Sequence, residues 1–214
     1  CGQILTLTVP HVGNYGVNPE DVESRALPLA GFVITQRARL HSNWRARGTL
    51  EDLLRSHNVP ALEGVDTRAL VRHLRTYGTM RSILSTDGTP VESLARMLAD
   101  WPGIDGEDLS RRVTVPMPEP FVLGEGEQSP IPVRRAARPF RVAAIDFGMK
   151  RNIVRNLAWR GLRVTAFPAG TDARDLLDFA PDGVFLSNGP GNPAMVDAGI
   201  ATVRRLLQVR DLPI

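Results

Sequence analysis

From Phe140 onward the chain alternates short apolar runs with amphipathic stretches, a rhythm that narrows the possible folds more than any other feature. "FRVAAIDFG", "LRVTAFPAG" and "DGVFLSNGPG" have the composition of strands buried on both faces. Between and after them, "KRNIVRNLAWRG", "TDARDLLDFA" and "AMVDAGIATVRRLLQVR" carry helical spacing. Gly161 closes the first of these helices, with Ile153, Leu157 and Trp159 turned inward, and Thr171 or Asp172 caps the second. A β-α-β-α-β-α order with right-handed crossovers predicts a parallel, doubly wound sheet. The closing "DLPI" has the character of the first residues of a fourth strand, so the expected domain is an incomplete one.

The stretch before this rhythm is different. Residues 115–139, "VPMPEPFVLGEGEQSPIPVRRAARP", are rich in proline, glycine and charge and show neither period. The expected organisation is therefore a domain over 1–115, a linker over 116–139 and a second domain over 140–214. The first domain has a mixed α+β pattern. "QILTLTVP" and "AGFVITQ" alternate as strands, and "TMRSILS" predicts a further short one. Thr49 with Asp52 three residues on opens a helix to about His57. Asp66 opens another that ends at Gly78, with Leu70, Leu74 and Tyr77 on one face, and "VESLARMLAD" predicts a helix ending before Pro102.

Composition removes several function classes. No apolar run approaches the ~20 residues of a membrane helix, so no membrane partner is expected. The single cysteine, Cys1, cannot form an internal disulfide and suits a reducing cytoplasm. The net charge of +3 comes with arginines interleaved among acids, as in "DTRALVRHLR" and "DARDLLD", which is the pattern of solvated helix faces. The densest cluster, Arg134, Arg135 and Arg138, sits in the linker, so no nucleic-acid partner is expected. His11, His41, His57 and His73 show no ligand spacing with one another or with cysteine, so no metal is expected.

The chemistry concentrates at "LSNGPGNPA", where an apolar strand breaks into two glycines and two prolines. Three readings apply. The string satisfies G-x-G-x-x-A, but it follows the third strand and Pro190 and Pro193 lack the N–H groups that a pyrophosphate needs. It could be only a strand-to-helix turn. Or it is a rigid oxyanion site: Gly189 keeps its N–H, has no side chain to obstruct a substrate carbonyl, and is stiffened by the neighbouring prolines. Lys150, the only lysine, stands where the first strand gives way to its helix and is either an exposed helix starter or a charge lining the same site.

"LSNGPGNP" resembles the glycine-rich loop of class I, triad-type glutamine amidotransferases. "IDFGMKRNIVRNLAWRG" resembles the opening of that domain in the small subunits of carbamoyl-phosphate synthetases. "LTLTVPHVGNYGVNPEDVES", "HNVPALEGVDTRALVRHLR" and "GIDGEDLS" resemble the same subunits' amino-terminal domain, in the same order. The resemblance implies that Gly189 and Gly191 contact L-glutamine and that the Gly189 N–H forms part of the oxyanion hole; Asn188 and Lys150 are candidates for lining the site, Lys150 alternatively the ammonia exit. The resemblance also implies a cysteine nucleophile on the strand after the third helix, with histidine and glutamate partners later. Since the sequence stops at Ile214, the chain as given is expected to hold half of an active site and to be inactive alone. It further implies a large-subunit partner carrying ATP and Mg²⁺, no cofactor on this chain, and a product for arginine and pyrimidine synthesis. Cys1-Gly2 also matches the start of amidotransferases with an N-terminal nucleophile, but the flanking sequence belongs to the other architecture. The alternative functions are a non-catalytic amidotransferase-like scaffold and a nucleotide-binding module.

Overall fold

The three long apolar runs after residue 140 each form a strand in the computed structural model, which describes residues 1–124, 127–134 and 136–214. Arg135 of the arginine cluster lies outside the described residues. The chain divides into two compact units, Cys1–Ile104 and Asp105–Ile214.

In the first unit, β1 (Gln3–Leu7), β2 (Leu29–Ile34) and β3 (Ala61–Leu62) form a parallel sheet in the order β1-β2-β3. Phe32, Val33 and Ile34 are all buried, so β2 is covered on both faces. Phe32 and Ile34 pack with Val59 and with Leu54 of α1 (Leu50–Ser56). Thr49 caps α1 as its sequence predicts: its hydroxyl accepts from Asp52 N at 3.1 Å and donates to Asp52 Oδ2 at 2.7 Å. Asp66 Oδ1 accepts from Ala69 N at 2.9 Å to start α2 (Thr67–Tyr77), which ends at Gly78 with φ +85°. The last helix, α3, spans Val91–Asp100.

Tyr77, on one face of α2 with Leu70 and Leu74, is 70% exposed, and one expectation fails in this unit. Residues 79–85 form no strand: Leu84 packs its side chain against Gly31 of β2, where a Cβ would come within 2.9 Å of it, without a backbone ladder. β3, conversely, was not legible, because two residues carry no period.

In the second unit, β4 (Glu119–Pro120), β5 (Arg141–Asp146), β6 (Arg163–Pro168) and β7 (Gly183–Leu186) form one sheet in the order β4-β6-β5-β7. β5, β6 and β7 are parallel, and β4 joins β6 antiparallel. The helices are α4 (Arg151–Trp159), α5 (Ala173–Asp178) and α6 (Asp197–Leu206). Successive strand residues face opposite ways. Ala143, Ile145, Phe167 and Val184 pack with Ala173 and Leu176 of α5 and Leu206 of α6. Ala144 and Val164 pack with Val154 of α4. Helices on both faces of a parallel sheet make this the expected doubly wound α/β architecture. Asp172 caps α5 through Arg174 N at 2.8 Å and ties it to α6 by accepting from Arg205 Nη1 at 2.7 Å.

Details depart from the pattern for tertiary reasons. The segment with linker composition contributes β4, and Phe121 beside it joins the cluster under α4. Residues 105–115 belong to this unit too, with Leu109, Ser110 and Val115 buried in it. In α4 the fully buried positions are Val154 and Trp159, while Ile153 and Leu157 are half-buried. A 3-10 turn at Pro193–Met195 delays α6 until Asp197. "DLPI" forms no strand, yet Val184 N donates to Pro213 O at 2.8 Å and so lays the segment beside β7. Among the described residues no helix is long and apolar enough to cross a membrane.

Candidate active site at the carboxyl ends of β5 and β7

β5 leads the series, yet it sits between β6 and β7. The chain therefore steps to one side of β5 and then to the other, which makes the carboxyl ends of β5 and β7 a topological switch point. Ligands of α/β sheets bind at such switch points. Two loops meet there, residues 147–150 after β5 and residues 187–191 after β7.

The loops interlock through named contacts. Ser187 N donates to Ile145 O at 3.2 Å, and the Ser187 hydroxyl accepts from Phe147 N at 2.9 Å. A Cβ on Gly189 would overlap the Phe147 carbonyl oxygen and lie 2.8 Å from Phe147 Cβ. This revises the expected reason for the glycine: its side-chain space is filled by the β5 loop rather than left open for a substrate. The Gly189 amide itself is on an exposed residue and has no acceptor among the described residues.

The other glycines are equally constrained. Gly191 has φ +81°, and a Cβ there would sit 3.3 Å from Leu109 Cδ1. At Gly148, with φ +121°, a Cβ would be 2.9 Å from Val113 Cγ2 and 3.0 Å from Pro190 Cδ. On α6, Gly199 makes room for the Phe147 ring, whose Cε1 would be 2.7 Å from a Cβ. Glycine at these places permits close approach of one backbone to another.

Beneath the loops lies Asp146, 5% exposed. Its Oδ1 accepts from Gly148 N at 2.9 Å and Met149 N at 2.6 Å, and its Oδ2 accepts from Val115 N at 2.9 Å. Three backbone donors compensate a carboxyl group that would otherwise be costly to bury. Asp146, Phe147, Ser187 and residues 109–115 were not singled out by sequence. An Asp directly before a turn at Gly148 is a readable local signal. The contact with residue 115 is not.

Of the predicted site residues, Asn188, Gly189 and Gly191 share the β7 loop and are exposed. Lys150 is exposed as the N-cap of α4, on the neighbouring loop, where the helix dipole adds to its positive charge. The dinucleotide reading loses further ground, since α6 starts only at Asp197, after the fingerprint has ended. Cys1 lies in the first unit, where partial burial of its α-amine lowers that group's pKa. The histidines are in that unit as well: His57 Nδ1 bonds Leu53 O at 3.0 Å, and His73 packs on Tyr77 with ring centroids 4.6 Å apart. Among the described residues no group of three or more His, Cys, Asp or Glu could hold a metal ion.

Comparison with known proteins agrees with this layout. Residues 1–84 match the family model described as carbamoyl-phosphate synthase small chain, CPSase domain. Residues 143–214 match that of glutamine amidotransferase class-I. The chain is 44% identical over 213 residues to the carbamoyl phosphate synthase small chain of Syntrophotalea carbinolica, covering 97% of this chain and 55% of that protein. It is also 44% identical to the small chain of a Synechococcus strain, over 97% of this chain and 53% of the relative. A third small chain, from Thermosynechococcus vestitus, is 44% identical over 96% of this chain and 54% of the relative. The chain spans about half the length of the curated relatives it matches. With both matches in chain order and the amidotransferase match covering the switch-point loops, the chain belongs to the carbamoyl-phosphate synthase small chain family.

Proposed function

We propose that this chain is part of the glutamine-hydrolysing subunit of a carbamoyl-phosphate synthase, and that the crevice between β5 and β7 binds L-glutamine. One observation carries this reading: the exposed Gly189 amide, without an acceptor among the described residues, on a loop held by tertiary contacts. In the proposed reaction a cysteine thiolate attacks the side-chain amide carbon of glutamine. The carbonyl electrons move onto oxygen, where the Gly189 N–H stabilises the new charge in a geometry fixed beforehand. Collapse of the intermediate, with a proton delivered from a histidine, expels ammonia and leaves a thioester that water hydrolyses to glutamate.

Cys1 is the only cysteine among the 214 residues, and this reading takes the thiol from the strand expected after α6, outside them. The 214 residues alone are accordingly expected not to hydrolyse glutamine. Gly191 and Asn188 shape the glutamine pocket, and Lys150 lines it. Ammonia passes to a large subunit, which holds ATP and Mg²⁺ and builds carbamoyl phosphate from bicarbonate, in the cytoplasm, for arginine and pyrimidine synthesis. This chain needs no cofactor of its own.

The test uses the full-length subunit in complex with its partner. Gly189→Val should lower glutamine-dependent synthesis by about 100- to 1,000-fold, the cost of losing one oxyanion donor. Ammonia-dependent synthesis should persist. Equal loss of both activities would assign the loop to folding or subunit contact instead.

A further inference from the structure

We propose that Asp146 is a positioning residue for the Gly189 amide, acting by tethering residues 109–115 to the two loops of the crevice. The inference rests on the glutamine-site reading above. Residues 109–115 lie outside both regions matched by the family models, which end at 84 and resume at 143. Nevertheless this segment is built into the second unit: Leu109 and Val115 are each 2% exposed and Ser110 1%. It meets the loops at three places. Leu109 lies against Gly191, Val113 against Gly148, and Val115 N donates to Asp146 Oδ2.

Asp146 is where these contacts converge. Its Oδ1 holds the N–H groups of Gly148 and Met149, which fixes the turn that presents the Phe147 carbonyl. That carbonyl abuts Gly189 so closely that no side chain fits between them. The Phe147 N–H, bonded to Ser187 Oγ at 2.9 Å, holds the same two loops from the other side of the residue. A displacement at Val115 is therefore passed through one side chain and one backbone turn to the proposed oxyanion donor. An oxyanion donor tolerates little displacement, since about 1 Å of misplacement can cost 100-fold in rate.

Asp146→Asn separates the two functions of the side chain. Its amide oxygen can keep Gly148 and Met149, but its NH₂ then faces the Val115 N–H, donor against donor, and the tether is lost. Leu109→Ala weakens the same segment at Gly191 without touching Asp146. Both variants are made in the full-length enzyme, and glutamine-dependent synthesis, ammonia-dependent synthesis and amide exchange at Phe147 and Ser187 are measured. The expected result for Asp146→Asn is a fall in glutamine-dependent kcat of about 10- to 100-fold, a smaller change in KM, and unchanged use of ammonia. Exchange at Phe147 and Ser187, whose N–H groups are bonded to Ser187 Oγ and Ile145 O, should quicken. Leu109→Ala should act in the same direction by about tenfold or less, and it decides the matter if Asp146→Asn does not fold.

Unchanged exchange at these two residues, or an equal fall in both activities, overturns the tether. If exchange quickens but glutamine kinetics stay normal in these variants and in Gly189→Val, the glutamine-site reading falls and the mechanical tether stands. If Gly189→Val loses glutamine use while the tether variants match wild type in exchange and kinetics, the tether alone falls.

Discussion

Both units pair short strands in parallel, yet only in the second does the order of the parallel strands reverse. In the first unit the strands follow one another in space as they do in sequence, β1-β2-β3. In the second the order β6-β5-β7 doubles back around its first strand. A sheet that grows in one direction has neighbouring loops leaving toward the same side, and no gap opens between them. A reversal sends the chain after neighbouring strands to opposite faces of the sheet, here α4 to one face and α6 to the other. The glycines divide by role within both units, since a Cβ at Gly16 or Gly31 of the first would also come within 3.0 Å of a neighbour. Gly64, Gly78 and Gly88 of the first unit have positive φ and nothing within 4 Å of a would-be Cβ. Gly148, Gly189 and Gly199 of the second are each within 3.0 Å of a neighbouring atom, by the same measure. The first set serves turns, the second close approach.

That contrast can be broken most forcefully in the two cores. Phe32→Ala removes the largest buried side chain beside Ile34 and should cost about 3–5 kcal/mol. Leu206→Ala, at a position with no exposure, should cost about 2–5 kcal/mol. Denaturant titration gives both costs. The informative difference is kinetic, because Leu206 belongs to the cluster against which Phe147 packs. In the folded full-length enzyme, Leu206→Ala should lower glutamine-dependent kcat and Phe32→Ala should not. A kinetic effect from Phe32→Ala alone would reverse the assignment of the site to the second unit.

Alanine at single glycines sharpens the comparison with a smaller change. Gly88→Ala meets open space and incurs only the strain of its φ of +79°, about 1 kcal/mol of stability with no change in kinetics. Gly189→Ala must push the Phe147 carbonyl aside and should lower glutamine turnover by about tenfold or more. Equal kinetic effects in steady-state assays would deny the crowding at Gly189 a part in turnover. Smaller again is Thr49→Ala, which removes the α1 cap, about 1 kcal/mol in denaturant titration.

The sequence made the doubly wound order legible because each strand and helix there carries its own period, and the site loop legible because Gly-Pro-Gly ends an apolar run. Caps at Thr49, Asp66 and Asp172 were legible for the same reason: donor and acceptor lie within three residues of each other. What escaped depends on partners far away in the chain. Residues 79–85 have strand composition, but Leu84 docks by its side chain. β4 has linker composition and becomes a strand because β6 offers an edge. Asp146 is an ordinary strand-end aspartate until Val115 arrives from 31 positions away. The role of Gly189 was half legible: its amide follows from the loop, whereas the reason it cannot carry a side chain lies on β5.

The smallest expected effect concerns acid, and it bears on the end of the second sheet opposite the crevice. Asp182 Oδ2 accepts from Arg141 N at 2.8 Å and Oδ1 from Arg138 Nη2 at 3.3 Å, while Asp182 N donates to Arg141 O at 2.8 Å. The Arg141 backbone bond first, and Arg138 after it, hold the Asp182 carboxyl below the usual carboxylate range. In the first unit Asp52 is held low mainly by the Thr49 hydroxyl, within one helical turn. A carboxyl whose folded pKa is depressed stabilises the fold fully above its unfolded value of about 3.9, and loses that contribution as pH falls through the lower folded value. Asp182→Asn keeps the shape and removes the charge. Its deficit in denaturant midpoint should be present at about pH 6 and shrink by about pH 3. Asp52→Asn should show the same sign, but its consequence stays in α1, whereas acid acting at Asp182 frays the starts of β5 and β7 together. Amide signals of residues 141 and 182 followed down that pH range would move with the midpoint, while those of 187–191 would not, since the crevice hangs on contacts at the other end of the strands. A deficit that stays constant with pH would mean that packing at this corner, rather than charge, holds the strand ends.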